Sequence, residues 1–76
     1  MAILKNIMLI RVINDYTQLK VQMDTGIPQS MISKYETGQL MPTAENLFIL
    51  ARFYNTSLDF LMDLTYEQKP YPPKKK

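Results

Sequence analysis

The apolar residues at the amino-terminal end of the chain recur at helical spacing. Four isoleucines stand three or four positions apart: Ile3, Ile7, Ile10 and Ile13. Residues with this spacing lie on one side of an α-helix, and neither glycine nor proline interrupts the stretch. The pattern therefore predicts a first helix over Ile3–Asn14, which the turn-forming pair Asn14 and Asp15 ends.

Two further helices are predicted on either side of a glycine turn. Thr17 can accept a hydrogen bond from an unpaired backbone N–H at the start of a second helix, Gln18–Asp24. Gly26 suits the left-handed conformation that is common just after a helix. Pro28 opens a third helix, because its missing N–H costs nothing in the first turn. This helix runs to Glu36 and ends at the Thr-Gly pair that follows.

Two capped segments complete the chain. A fourth helix begins after Thr43 and ends at Tyr54, and Ser57 caps a short fifth helix, Leu58–Leu64. No stretch has the strict alternation of apolar and polar residues that is typical of strands, and no segment repeats. The pattern therefore predicts an all-α fold, a compact domain of five helices.

The predicted helices share one apolar core. Val21 and Ile32 should face this core from the second and third helices, and Ile27 should pack beneath the turn between them. We expect this domain to cover residues 1–66. Residues 67–76 are rich in proline and lysine, bury little apolar surface, and are expected to form an extended or disordered tail.

The composition argues against several classes of function. The chain has no cysteine and no histidine, so disulfides, thiolate metal sites and the commonest general base are excluded. No nucleophile–base pair, carboxylate pair or phosphate-binding glycine loop is visible. No apolar run approaches the ~20 residues that span a bilayer, and no signal-peptide cleavage site follows the first residues. We therefore expect a cytoplasmic protein without enzymatic activity, metal or cofactor.

The positive charge of the chain is concentrated at its end. The formal net charge is +2, but Lys74, Lys75 and Lys76 supply three of the nine basic residues. The rest of the chain carries six basic and seven acidic side chains. A prediction of nucleic-acid binding must therefore depend on where individual residues lie, not on the net charge.

The order of the residues from the second helix onward is characteristic of a known family. The matching positions are Thr17, Gln18, Gly26, Ile32, Ser33, Glu36, Gly38, Pro42, Leu47, Leu50, Ala51, Ser57, Leu58, Asp59 and Leu61. With Arg11 on the first helix, this pattern resembles the lambda-repressor/Cro-type helix-turn-helix family, also called the xenobiotic-response-element (XRE) family. The resemblance covers roughly residues 4–64, and its specificity lies in the whole set, not in one motif.

The resemblance implies roles for individual side chains. Four residues would read base edges from the exposed side of the third helix: Gln29, Ser30, Ser33 and Lys34. Glutamine can bond adenine at two atoms, lysine can donate to guanine, and serine suits either. Three residues would contact the sugar–phosphate backbone: Gln18, Thr37 and Gln39. The resemblance also implies a structural salt bridge between Arg11 and Glu36.

These roles imply a transcriptional regulator that binds specific double-stranded DNA. The recognition helix, Pro28–Glu36, would enter the major groove, and a homodimer would bind paired half-sites. The loop Gln39-Leu40-Met41 lacks the basic residues that the family often has there, so each monomer would make few phosphate contacts.

The predicted first helix supports an alternative function. Leu9, Val12 and Ile13 make it apolar nearly all round, and clustered apolar exposure is typical of an interface. Self-association is the first explanation. The second is a different protein partner: the chain would then be an interaction module on the same fold, such as an antitoxin that masks a toxin through this helix.

Overall fold

Helices form where the apolar spacing predicts them. The computed structural model describes residues 4–70, and within this range the elements are helices connected by turns, without strands. The helices are α1 (Lys5–Ile13), α2 (Gln18–Thr25), α3 (Gln29–Thr37), α4 (Ala44–Tyr54) and α5 (Leu58–Leu61). This confirms the all-α prediction. The predicted helix start at Ile3 and the tail from position 71 onward lie outside the described residues.

Each of these helices is followed closely by a residue with a left-handed backbone. The φ angles are 60° at Asp15, 81° at Gly26, 81° at Gly38, 55° at Asn55 and 62° at Asp63. A residue in this conformation cannot continue a right-handed helix. Glycine adopts it without a steric penalty, and asparagine and aspartate adopt it more readily than other residues. The helix ends are therefore encoded locally.

The core lies where the four longer helices and α5 meet. Val21, Ile27 and Ile32 are 0%, 3% and 2% exposed, as the sequence predicts for the two helices and their turn. Tyr35 is buried as well, and its hydroxyl oxygen accepts a hydrogen bond from the side-chain amide of Asn46 at 2.7 Å. This bond joins α3 to α4, because each of the two helices contributes one partner.

The two ends of the helical domain are joined through Asp63. Its carboxylate accepts hydrogen bonds from the backbone N–H groups of Lys5 at 2.8 Å and Asn6 at 2.9 Å. The residue before α1 is Leu4, which has no side chain able to cap the helix. Asp63 therefore satisfies N–H groups of the first turn that have no partner within α1.

Several predicted boundaries differ from the structure by one to three residues. The first helix ends at Ile13 and not at Asn14, and the second ends at Thr25 and not at Asp24. The fifth helix ends at Leu61 and not at Leu64, because the left-handed backbone of Asp63 stops it. Pro28 precedes α3 instead of opening it, because its ψ of 141° is extended. The third helix runs one residue beyond the predicted end at Glu36, to Thr37, because Gly38 is the first residue that leaves the helical conformation.

Candidate nucleic-acid interface

The turn between α2 and α3 combines a left-handed glycine with a buried isoleucine. Gly26 has a φ of 81°, and apart from Gly26 itself and its two chain neighbours, no residue has a heavy atom within 4 Å of the position that a Cβ would occupy. The glycine is thus required for its conformation and not for lack of space. Ile27 then turns inward and is buried against the core, so packing fixes the end of the turn that leads into α3.

A side chain of α2 caps α3. Because Pro28 has no side-chain acceptor, the backbone N–H of Gln29 donates instead to the side-chain oxygen of Gln22 at 2.6 Å. This interaction connects the two helices of the motif at the end of α3 that carries the first predicted base contact. Sequence reasoning missed Gln22, because a glutamine at a half-buried helix position gives no local sign of its partner.

One side of α3 presents polar groups to solvent. Gln29, Ser30, Lys34 and Thr37 are exposed, and Ser33 is half-buried. The buried residues of the helix are Ile32, Tyr35 and Glu36. We call the set Gln29, Ser30, Ser33, Lys34 and Thr37 the polar face of α3. Its amide, hydroxyl and ammonium groups can donate to and accept from base edges.

A buried ion pair connects α3 to α1. The Nε atom of Arg11 lies 2.7 Å from one Glu36 carboxylate oxygen, and its Nη2 atom donates to the other at 2.9 Å. The side chains are 15% and 3% exposed. The third nitrogen, Nη1, donates to the backbone carbonyl of Tyr16 at 2.9 Å. This is the salt bridge that the resemblance implied.

The hydrogen bond to Glu36 raises the pKa of the Arg11 guanidinium above its ordinary value. The guanidinium therefore stays charged in the folded protein at neutral pH, and it lies against the Glu36 carboxylate within the domain. As a result, the carboxylate does not lie open toward an approaching phosphate, although it belongs to the same helix as the polar face of α3.

The ion pair is connected to the polar face of α3 through Gln18. The side-chain amide of Gln18 donates to Glu36 Oε1 at 3.0 Å, and its oxygen lies 3.5 Å from the amide nitrogen of Gln29. Gln18 is half-buried, so it has a positioning role that the sequence did not predict. An amide nitrogen carries two N–H groups, and the bond to Glu36 uses one of them.

The remaining predicted residue lies beyond the end of α3. Gln39 is exposed and follows Gly38, and its backbone N–H donates to the carbonyl of Lys34 at 2.9 Å. The structure therefore brings together Gln18 and Gln29 by a side-chain contact, and it places Gln39 past the carboxy-terminal end of the polar face. The two residues after it, Leu40 and Met41, are exposed apolar side chains.

Positive charge is sparse on this surface. Lys34 is the only basic residue of α3, and Lys20 of α2 pairs with Asp24 at 2.8 Å. Within residues 4–70 there is no cluster of three or more histidine, cysteine, aspartate or glutamate residues suited to a metal ion. In the same range, no helix has the length and apolar character needed to cross a bilayer.

Because Lys34 is the only basic residue of α3 and Lys20 is paired, the polar face of α3 offers mainly neutral hydrogen-bonding groups.

The comparison with protein families agrees with this geometry. A family model described as "Helix-turn-helix" matches residues 7–61, which include all of the motif and most of the core. No curated protein and no solved structure gave a significant match. The matched range is well over half of the chain, and it carries the residues on which the resemblance depends. The chain therefore belongs to the lambda-repressor/Cro-type helix-turn-helix family, a family of DNA-binding regulators.

Proposed function

We propose that this protein regulates transcription by binding a specific duplex sequence as a homodimer, with α3 in the major groove. The observation that carries the proposal is the polar face of α3. Four of its five side chains are exposed and Ser33 is half-buried, while Ile32 and Tyr35 are buried in the core and Glu36 is bonded to Arg11. A rigid helix with exposed donors and acceptors is what direct reading of base edges requires.

The proposal assigns different tasks to the site residues. Gln29, Ser30, Ser33 and Lys34 contact base edges and provide specificity. Gln18, Thr37 and Gln39 contact the sugar–phosphate backbone and set the position of the helix in the groove. Gln29 has the best-defined environment of the base-reading group, because its backbone is capped by Gln22 and its side chain approaches Gln18.

In vitro selection of duplex DNA by the purified protein tests the proposal. We expect a selected sequence that binds at least ~10³-fold more tightly than random duplex at physiological salt. If no sequence binds better than random DNA, the proposal is wrong.

Variants then assign the contacts. Gln29→Ala should change the preferred base at one position of the selected site, at a cost of about 1–3 kcal/mol for the original base. Gln68→Ala is the matched control, because Gln68 is exposed and lies outside the helix-turn-helix motif. Equal base preferences for the Gln29 variant and the parent would remove Gln29 from the base-reading group.

The second candidate is a protein-interaction module, for instance an antitoxin. The observation that favours it is the exposed apolar side of α1, where Val12 and Ile13 are 53% and 54% exposed. The selection experiment separates the two candidates, because an interaction module without a DNA role would enrich no sequence.

A further inference from the structure

The side of α1 that faces away from the core is apolar. Four large side chains are about half exposed there: Met8 (47%), Leu9 (46%), Val12 (53%) and Ile13 (54%). Their spacing places them in one continuous band on a single side of the helix. The opposite side of α1 carries the buried residues Ile7 and Ile10. We call the four exposed residues the outer face of α1.

The outer face of α1 carries little charge. Of the two charged residues of α1, Arg11 pairs with Glu36, and only Lys5, at the first turn, is exposed. Such a surface has no charge pattern that would select an acidic or basic partner. Two copies of it can come together without like-charge repulsion if the helices run antiparallel, because the two Lys5 residues then lie at opposite ends of the contact.

The small number of cations on α2 and α3 favours DNA binding by two copies of the chain. With Lys34 as the only cation on α3 and Lys20 already paired with Asp24, one monomer neutralises few phosphates. The affinity of DNA-binding proteins depends strongly on the number of phosphates that are neutralised. A second copy on an adjacent half-site doubles that number. We therefore take a second copy of this chain as the partner of the outer face of α1.

We infer that the outer face of α1 is the contact between two copies of this protein on DNA, an inference that rests on the proposed function. The contact is isologous and antiparallel, so that Met8 of one copy lies near Ile13 of the other, and Leu9 and Val12 lie near the two-fold axis. Arg11, which is not part of the outer face, bonds Glu36 of α3, so the side of α1 that contacts α3 is not the outer face.

The size of the face determines how stable this contact is. Four half-exposed aliphatic side chains present on the order of 300–400 Å² of apolar surface, which is comparable to the largest patch on a typical monomer. Two copies would then bury roughly 700 Å² in total, below the about 1,200 Å² at which stable complexes begin. The inference therefore specifies a dimer that is weak in free solution and forms when both copies occupy neighbouring half-sites.

The test compares duplexes that carry one or two copies of the half-site obtained by selection. We expect the parent to bind the two-copy duplex cooperatively. Leu9→Glu should leave binding to the one-copy duplex unchanged and lower affinity for the two-copy duplex at least ~10-fold, since it places two carboxylates near the axis. Leu64→Glu is the matched control: Leu64 is 70% exposed and lies outside α1, and this variant should bind like the parent.

Mixing variants separates a contact between copies from a folding defect. Leu9→Glu and Leu9→Lys should each lose cooperativity alone and recover it when mixed in equal amounts, because opposite charges then meet at the contact. A loss that mixing does not restore would overturn the antiparallel arrangement around Leu9. Circular dichroism melting of each variant verifies that the domain remains folded.

Sedimentation equilibrium without DNA tests the contact independently of the proposed function. We expect the parent to self-associate only at high concentration, on the order of 1 mM, and Leu9→Glu to remain monomeric. If selection enriches no sequence but the parent self-associates through α1, the proposed function fails and the contact stands. If the parent stays monomeric and binds two half-sites without cooperativity, the inference is overturned.

Discussion

Gln18 and Glu36 are joined by a hydrogen bond of 3.0 Å, although they are 18 positions apart in the chain. The bond links the first residue of α2 to a carboxylate that is already held by Arg11. Gln18 in turn approaches Gln29 on the polar face of α3. A change at the buried ion pair therefore reaches the surface proposed to contact DNA through two intervening side-chain contacts.

Removing Arg11 should destabilise the protein strongly. Arg11→Met leaves the Glu36 carboxylate buried without its cation, and the loss of one partner of such a pair costs about 3–5 kcal/mol in the free energy of unfolding. The double variant Arg11→Met/Glu36→Met should lose much less, because no uncompensated charge remains. Urea denaturation measures both. If the single and double variants lose equal amounts of unfolding free energy, the unpaired buried charge of Glu36 is not the main cause of the destabilisation.

Replacing Gln18 should affect both stability and DNA binding. Gln18→Ala removes a hydrogen bond to a charged group, which contributes about 1.5–3 kcal/mol to the free energy of unfolding. We also expect weaker binding to selected and random duplexes alike, because its proposed DNA contact is to phosphate. Gln39→Ala should weaken DNA binding in the same way with little loss of stability, since Gln39 is exposed. If Gln18→Ala unfolds at the same urea concentration as the parent, its bond to Glu36 contributes nothing.

The cap that Asp63 provides to α1 should be detectable in the stability of the whole domain. Asp63→Ala removes both backbone hydrogen bonds to the first turn of α1, and we expect a loss of about 0.5–2 kcal/mol in the free energy of unfolding. Asp24→Ala is the control, because Asp24 forms an exposed pair with Lys20 and its removal should cost less. A larger loss for Asp24→Ala than for Asp63→Ala would contradict this account.

Alkaline pH should destabilise the protein through Tyr54. Burial raises the pKa of its phenol above the ordinary value, and the nearby Glu36 charge adds to this effect. Because the pKa is raised in the folded state, the contribution of Tyr54 to the free energy of unfolding is complete below about pH 10, the pKa of an unperturbed tyrosine. This contribution then falls as the pH rises toward the pKa of Tyr54 in the folded state, by at most about 1.4 kcal/mol per pH unit.

The variant Tyr54→Phe isolates this contribution. Its stability should fall less between pH 10 and higher pH than that of the parent, when unfolding is followed by circular dichroism. Tyr66→Phe is the control. The Tyr66 side chain is fully exposed, so this substitution should leave the loss of stability at alkaline pH unchanged. A parallel decline for parent and Tyr54→Phe would assign the effect to other groups.

The local signals in the sequence were sufficient for the number and order of the helices and for the family, but not for every helix boundary. Apolar spacing and the caps Thr17, Thr43 and Ser57 predict the helices, and each cap accepts the expected backbone hydrogen bond in the structure. These features depend on residues within three or four positions of each other, so the chain reveals them without a tertiary model. The predicted Arg11–Glu36 pair came from the resemblance and is present.

The partners of the amide and carboxylate side chains were decided only by the tertiary structure. The sequence by itself determined five helices, their order and the polar face of α3. It did not determine that Gln22 caps α3, that Gln18 bonds Glu36, or that Asp63 caps α1. A glutamine or an aspartate can accept from any N–H that packing brings near it. Its partner is therefore set by how the helices pack, and Asp63 reaches Asn6 across 57 positions of the chain only because α5 lies against α1.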